Sequence, residues 1–378
     1  MDKKIKILFF MDGIGNAGGI QEMSIKWMEN IDRNKFHVDI LSYDTGKKDN
    51  FPNRVKQLGG EIFIIPKYTN GDVINSITKT KKFFEEHRYD ILHAHSSSKA
   101  VFVMFYARKA GIKIRILHAH CSKFIVTDKK ALLMANLLLV PTLKNTTDFF
   151  ACSPEAGIFL FGEKAYADNK VKIIHNGIDP RKYLPDSNIR NKIREELGVK
   201  EKFVIGNVGR FRRQKNHEFL IDVFAKVCSI DPDAFLVCVG NGELEESIKD
   251  KARKMGVFNR ISFLGFRCDV NDIMQSFDLL LMPSLFEGLP VTAVEAQAEG
   301  IPGLFSSNIS ADVAILPTSS FLHLEDDLDV WAKKIVSYKN YKREENPYQY
   351  ILDQGYDIQI ETKKLEKVYI ERLKEVTK

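Results

Sequence analysis

Long apolar runs are scarce in this sequence, and the scarcity argues against a membrane-spanning helix. Near the N-terminus the apolar stretch Ile7–Met11 stops at Asp12 and Gly13, too short for a signal-peptide core. A cytoplasmic protein is therefore expected. Cysteine is sparse as well: Cys121, Cys152, Cys228, Cys238 and Cys268 form no C-x-x-C pair, and an odd number argues against a disulfide framework. Low-complexity segments and internal repeats are lacking, which sets aside disordered and solenoid chains. What remains is a chain of 378 residues, 44% hydrophobic and 28% charged, long enough for two globular domains.

Charge is uneven. Residues 1–180 hold 27 Lys+Arg against 19 Asp+Glu, a net of +8, whereas the rest of the chain is at −2 within a total of +6. A basic first half fits an anionic partner such as a membrane surface or a phosphorylated substrate, or simply a solvated surface.

Short apolar runs alternate with amphipathic segments. Strands are expected at residues 5–10, 38–41, 62–65, 91–94, 114–117, 149–152 and 171–174, and helices at 21–30, 73–87 and 101–110. Continuous apolar strands separated by helices imply a parallel sheet covered on both faces. Turn formers dominate His175–Pro180 and Asp186–Asn188, where a linker is placed. The alternation then restarts with strands at 203–208, 234–239, 261–264 and 279–282 and helices at 219–230, 243–255 and 292–299. The fold class expected is α/β, with domains at 1–185 and 186–378. Leu365, Val368, Tyr369, Leu373 and Val376 share one helical face, so the last helix is a candidate to pack back on the first domain. Ligands of such sheets bind beyond the carboxyl ends of the strands, and the motifs fall there.

The most informative string runs from Ser284 to Pro302. Gly288, Leu289, Pro290 and Val291 lead into a helix whose first backbone N–H groups suit a phosphate. Glu287 and Glu295 are acceptors for vicinal hydroxyls; the bland alternative, a glutamate complementing the helix dipole, explains either alone but not the string. A second string, Gly206–Asn216, follows a strand. Its Arg210 and Lys215 suit a diphosphate, while Arg212 and Arg213 read as solvated charges. Gly240 and Gly242 make a turn after the next strand. The N-terminal loop spells a G-x-G-x-x-G at Gly13, Gly15 and Gly18, the dinucleotide fingerprint, but Asp39 and Asp44 match its acidic partner only loosely. His93, His95, His118 and His120 end two strands with period-two spacing, so a four-histidine metal site is one alternative. Ala131–Thr142, preceded by Lys129 and Lys130, is apolar but too short to span. It is read as a buried helix, with an interfacial element as the alternative.

The Glu287–Glu295 string resembles the Glu-(seven residues)-Glu signature of family-4 retaining glycosyltransferases of the GT-B fold. The Arg210–Lys215 segment resembles that family's G-R-x-x-x-x-K-G, with Asn216 where glycine is common. Asp148–Gly162 is similar to a segment of its capsular and exopolysaccharide members. The resemblance implies two doubly wound Rossmann-like domains facing a cleft, an N-terminal acceptor domain and a C-terminal nucleotide-sugar domain. It also implies a UDP-sugar donor, and a lipid-linked saccharide acceptor at the inner membrane face with peripheral association there. Glu287 would orient the donor sugar, Glu295 hold the ribose, and Arg210 and Lys215 stabilise the leaving diphosphate. His120 would touch the transferred sugar. Gly18, Gly19, Gly209, Gly242 and Phe266 would line the donor. No cofactor, metal or nucleic acid is implied. Rival readings are a nucleotide-sugar epimerase or hydrolase, a Rossmann NAD(P) oxidoreductase, and a non-catalytic partner subunit of a transferase.

Overall fold

A computed structural model describes residues 4–14, 19–46, 50–68, 72–121 and 128–377. The chain forms two compact units, Met1–Gly177 with Ile358–Lys378, and Ile178–Asp357. The division thus falls before residue 185, and the last helix is part of the first unit rather than of a domain running to 378.

The first unit runs β1 Ile5–Met11, α1 Gly19–Asn30, β2 Phe36–Tyr43, α2 Phe51–Gln57, β3 Ile62–Ile65, α3 Val73–Glu86, β4 Ile91–Ala94, α4 Val101–Lys109, β5 Ile114–Ala119, α5 Lys129–Asn145, β6 Asp148–Ala151, α6 Pro154–Phe161, α7 Glu163–Ala167 and β7 Val171–Ile173. Its strands form one parallel sheet in the order β3-β2-β1-β4-β5-β6-β7. Ile7 through Phe10 on β1 are wholly buried, because α-helices cover both faces of the sheet. One face packs Leu8, Phe10, Leu92 and Leu117 with Val103 and Met104 of α4. The other packs Ile7, Phe9, Ile91 and Ile116 with Trp27 of α1.

The second unit contains α8 Ser187–Glu196, β8 Phe203–Val208, α9 His217–Ile230, β9 Ala234–Val239, α10 Glu245–Lys254, β10 Ile261–Phe263, α11 Val270–Met274, β11 Leu279–Met282, α12 Val291–Ala298, β12 Gly303–Ser306, β13 Ser320–Leu322, α13 Leu328–Val336 and α14 Tyr348–Asp353. Its sheet is parallel, in the order β10-β9-β8-β11-β12-β13. Both sheets are doubly wound. The order reverses between β1 and β4 in the first and between β8 and β11 in the second, the places where such folds bind ligands.

The chain then returns to the first unit as α15 Ile358–Thr377. Leu365 and Tyr369 are fully buried there, and Val368, Leu373 and Val376 pack against the same core as Phe9 and Trp27. The helical stripe read from the sequence is that contact. Glu361, 0% exposed, ties the helix to the loop after β7 by accepting from the backbone N–H of His175 at 2.9 Å.

The segment read as a buried helix is not one. On α5 only Thr142 and Asn145 are buried, whereas Leu132, Leu133, Met134, Leu137 and Val140 are exposed. The helix binds its unit through a single face, and its apolar residues extend around the rest. Among the described residues, no helix is long and apolar enough to cross a membrane.

Candidate active site

In the second unit, β8 and β11 deliver their loops side by side at the point of reversal. After β8 the chain makes one short turn, Arg213–Lys215, and enters α9 through Asn216. Asn216 has φ 54° and ψ 45°, the left-handed conformation that favours glycine and that asparagine tolerates best among the rest. This accounts for asparagine at the place where the family has glycine. Its Nδ2 donates to the Pro283 carbonyl at 3.2 Å, and Leu285 N donates to Gln214 O at 2.8 Å, so the two loops are laced together.

The lacing brings Lys215 Nζ to 2.6 Å from Glu287 Oε1. Glu287 is 9% exposed, and Gln214 Nε2 donates to its other oxygen at 3.1 Å. A carboxylate this buried is held by cations and donors rather than by water. Gly209 permits the arrangement, since a Cβ there would meet the Lys215 side chain at 2.9 Å. The neighbouring turn depends on glycine more strictly. At Gly240, φ is +133° and a Cβ would lie 2.1 Å from Gly209 O; at Gly242 it would lie 2.4 Å from Phe211 O. The close approach is closed by Phe211 N donating to Asn241 O and Leu244 N donating to Phe211 O, both at 3.0 Å. Partial burial pulls the Arg210 guanidinium below its ordinary value; the Arg212 charge adds to this and Glu243 opposes it.

Helix α12 starts at Val291 beyond Pro290, so its first N–H groups open beside Glu287, with Gly288 and Leu289 between them. Glu295 sits one turn into α12, where Tyr183 Oη donates to its Oε1 at 2.8 Å. Tyr183 and Gln214 were invisible as site residues in the sequence: one comes from a short turn 112 residues away, and the other looks like loop polarity. Phe266 is 63% exposed, an apolar face open to a planar ligand. Arg210, Lys215, Glu287 and Glu295, with Gly209, Gly242 and the Gly288–Val291 backbone, thus lie in one unit on the segments that follow β8, β9 and β11.

Glu299, just past α12, is 0% exposed, and burial pushes its carboxyl up to about 9 against the opposing charge of Arg343. Arg343 spends hydrogen bonds on Gln275 and on the carbonyls of Gln275 and Phe277. Folded, Glu299 keeps a proton that the unfolded chain releases, so the second unit loses stability as pH climbs from 4.5 towards about 9. Glu299→Gln is expected to raise the melting temperature at about pH 8 by several degrees and to leave it unchanged near pH 5. Calorimetry at the two pH values checks this; an equal shift at both would contradict it.

His120 and Gly19 belong to the first unit, and Gly18 lies outside the described residues. The loop after β1 is also at a switch point, and Gln21 Nε2 donates to Gly13 O at 2.8 Å. The acidic partner required by a dinucleotide fingerprint is engaged elsewhere. Asp39 accepts from Glu61 N at 2.8 Å and Tyr89 Oη at 2.9 Å, and Asp44 accepts from Gly46 N.

The period-two spacing places His93 on β4 and His118 on β5, with His95 and His120 just past the strand ends, and Trp27 of α1 and Tyr369 of α15 pack on them. His95 Nδ1 and His120 Nε2 are 3.0 Å apart, as are His93 Nε2 and His118 Nδ1; which nitrogen donates follows the tautomer. Tyr369 Oη lies 2.6 Å from His93 Nδ1, and the Trp27 ring stacks on His95 at 5.2 Å and His118 at 5.6 Å. Burial lowers every one of the four below the usual imidazole value, His120 to about 4 with the Asn176 side chain opposing the shift. Ligand nitrogens of His93, His95 and His118 come within 4.8 Å of one another. These rings are already paired with each other and with Tyr369. Among the described residues the group is made of histidines alone, so any cation there would be held by neutral imidazoles. The rings form one stack that ties His120 to His95, and three of them also have the spacing of a metal site.

The family described as Glycosyl transferases group 1 matches residues 189–344, and Glycosyltransferase Family 4 matches residues 17–182. EpsF of Bacillus subtilis, named as a glycosyltransferase, is 31% identical over 337 residues, 87% of this chain and 86% of that protein. An Escherichia coli enzyme named UDP-Gal:alpha-D-GlcNAc-diphosphoundecaprenol alpha-1,3-galactosyltransferase is 27% identical over 330 residues, 84% of each. In fold, the chain is similar to Anabaena HepE crystallised with UDP-glucose, with a TM-score of 0.79 at 20% identity over 97% of this chain and 100% of that one. Sucrose-phosphate synthase of Thermosynechococcus elongatus gives 0.76 at 16% identity over 97% and 99%.

Proposed function

The chain is a glycosyltransferase of family 4, group 1, with exopolysaccharide and capsule relatives, and on that premise we propose that it transfers a sugar from UDP to a lipid-linked saccharide with retention at the anomeric carbon and without a metal. The observation that carries this is the pairing of Lys215 with Glu287 at 2.6 Å, with Arg210 on the same loop as Lys215 and α12 starting four residues after Glu287. Fixed positive charge stands next to a hydroxyl-binding carboxylate, which is what a departing sugar diphosphate requires. The second unit takes the donor and the first the acceptor.

In this reading the bond from the anomeric carbon to the diphosphate oxygen breaks, and its electron pair leaves with UDP. Arg210, Lys215 and the α12 N–H groups stabilise that charge in place of a cation. The acceptor hydroxyl forms the new bond on the same face and passes its proton to the departing phosphate oxygen, so no enzymatic nucleophile is needed. Glu287 orients the sugar hydroxyls. Glu295, aligned by Tyr183, holds the ribose, and Phe266 lines the base. His120 presents a neutral ring to the transferred sugar. The UDP named for HepE and for the E. coli galactosyltransferase supports the nucleotide, and the latter's diphosphoundecaprenol acceptor supports a lipid-linked substrate reached by peripheral association with the cytoplasmic face of the membrane.

A thermal-shift panel of UDP, GDP, ADP, CMP and NADH, each with and without EDTA, tests the reading. UDP alone is expected to stabilise the protein, equally in EDTA. Glu295→Ala should weaken UDP binding by about ten- to a hundredfold, the range for losing a charge-assisted hydrogen bond. Stabilisation by NADH alone would restore the oxidoreductase, and a UDP response abolished by EDTA would remove metal independence. Product analysis with and without acceptor separates transfer from hydrolysis or epimerisation.

A further inference from the structure

Soluble proteins pack one stripe of a helix inward and turn charge outward. Helix α5 does not follow this rule. Between Lys129 and Asn145 the sequence contains no acidic residue, and its only charges are Lys129, Lys130 and Lys144. At helical spacing Leu133, Leu137 and Val140 form one row, with the lysines at its two ends. Leu133 is 61% exposed, Leu137 59% and Val140 55%. The opposite face holds Thr142 and Asn145, both buried, against α4 and the turn before it.

Along the sequence from β4 to the end of α5 the charge is almost all of one sign. From Ile91 to Thr147 the sequence carries nine Lys and Arg against a single acid, Asp128. That carboxylate is spent as the N-cap of α5, accepting from Ala131 N at 2.8 Å. On α4, Phe105 is 40% exposed with Lys109 Nζ 5.7 Å from its ring centroid.

We propose that α5 is the element that docks this protein on an anionic lipid surface, its Leu133–Leu137–Val140 row entering the acyl boundary and its terminal lysines reaching the headgroups. An apolar row with lysines at both ends matches the depth profile of a bilayer interface, where aliphatic side chains are buried and long cationic ones extend back to phosphate. A helix of 17 residues lying in the plane needs no polar face beyond the one already packed on its own unit. A second copy of this chain is the less fitting occupant, because two copies of the row would bring its terminal lysines together. The inference rests on the peripheral association proposed above and names where it occurs.

Co-sedimentation of the full chain with phosphatidylcholine vesicles, with and without phosphatidylglycerol, tests it. Wild type is expected to bind the anionic vesicles and to release as salt rises. The triple variant Leu133→Glu, Leu137→Glu, Val140→Glu should lose at least about tenfold in partitioning. Lys129→Ser with Lys130→Ser should bind anionic vesicles less and lose the dependence on phosphatidylglycerol. Circular dichroism melting verifies that both variants fold, as expected for changes at exposed positions. Equal binding by wild type and both variants would overturn the role of α5 while leaving membrane association standing. Failure of wild type to bind either vesicle would remove the association and the inference with it. Wild type running as a dimer that the triple variant splits would assign the face to a second copy and overturn the lipid.

Discussion

Lys215→Ala is expected to lower turnover by about a hundred- to a thousandfold, the scale of removing one fixed charge from a transition state. Lys215 has two tasks. In the proposed transfer it stabilises the departing diphosphate, and in the structure it holds Glu287 at 2.6 Å in a setting where that carboxylate is 9% exposed. On that proposal its loss removes the stabilising cation and releases the carboxylate assigned to orient the sugar. The two effects share one ion pair, so they should not add: Lys215→Ala with Glu287→Ala should cost little more than the worse single change. Lys215→Arg should recover only part of the activity, because a planar fork replaces a point charge in a narrow loop. Steady-state release of UDP with donor in excess measures kcat, and titration of donor gives kcat/KM. Activity of Lys215→Ala within a few-fold of wild type would remove the ion pair from the mechanism.

Stability of the first unit is expected to fall steeply on acidification. The folded chain holds four histidines neutral by burial, whereas the unfolded chain protonates them near the ordinary value of 6.5. Their contribution is fully present above 6.5 and is lost as pH falls through the folded value, about 4 for His120 and well below 6.5 for the others. Each ring contributes a slope of up to about 1.4 kcal/mol per pH unit over its window. Trp27, stacked on His95 and His118, reports the loss directly. A Trp331→Phe background leaves Trp27 as the single tryptophan of the chain, which has two. Urea midpoints of its fluorescence should drop sharply between about pH 7.5 and about pH 5. Replacing His93 and His118 with leucine should flatten that dependence even where it lowers stability overall. Midpoints that hold constant across this range would mean the rings are not neutral in the folded protein.

Much of this architecture was legible because parallel sheets write a simple pattern. The runs at 91–94, 203–208, 234–239 and 279–282 became strands with those bounds, since a strand covered on both faces has no polar alternation to blur its ends; the edge run 62–65 kept its bounds too, with Ile64 exposed. Strands β12 and β13 were not anticipated; Gly303–Ser306 is short and begins with glycine, and Ser320–Leu322 is only partly buried. The helix over 131–142 was recognisable as apolar, but its burial was not. Composition states what a side chain prefers, and only the packing of α5 on one face shows that the preference is unmet.

The site divides along the same line. Glu287, Glu295, Arg210 and Lys215 stood out because each lies in a Gly/Pro-punctuated string directly after a strand, a local arrangement that spacing reveals. Asn216 showed in the sequence only as a residue standing where glycine is common; the structure supplied the reason, a left-handed conformation that asparagine tolerates. Partners from distant segments were set by the fold alone. Tyr183 reaches Glu295 across 112 positions and Tyr369 reaches His93 across 276, and no local pattern encodes either meeting. The sequence by itself determined two doubly wound sheets and the strand ends that carry the chemistry, because burial on both faces and turn stereochemistry are local demands. Tertiary structure decided which side chains meet, that the four histidines stack as neutral rings, that the last helix returns to the first unit, and that α5 keeps its apolar row exposed, because contact and burial depend on every segment that packs nearby.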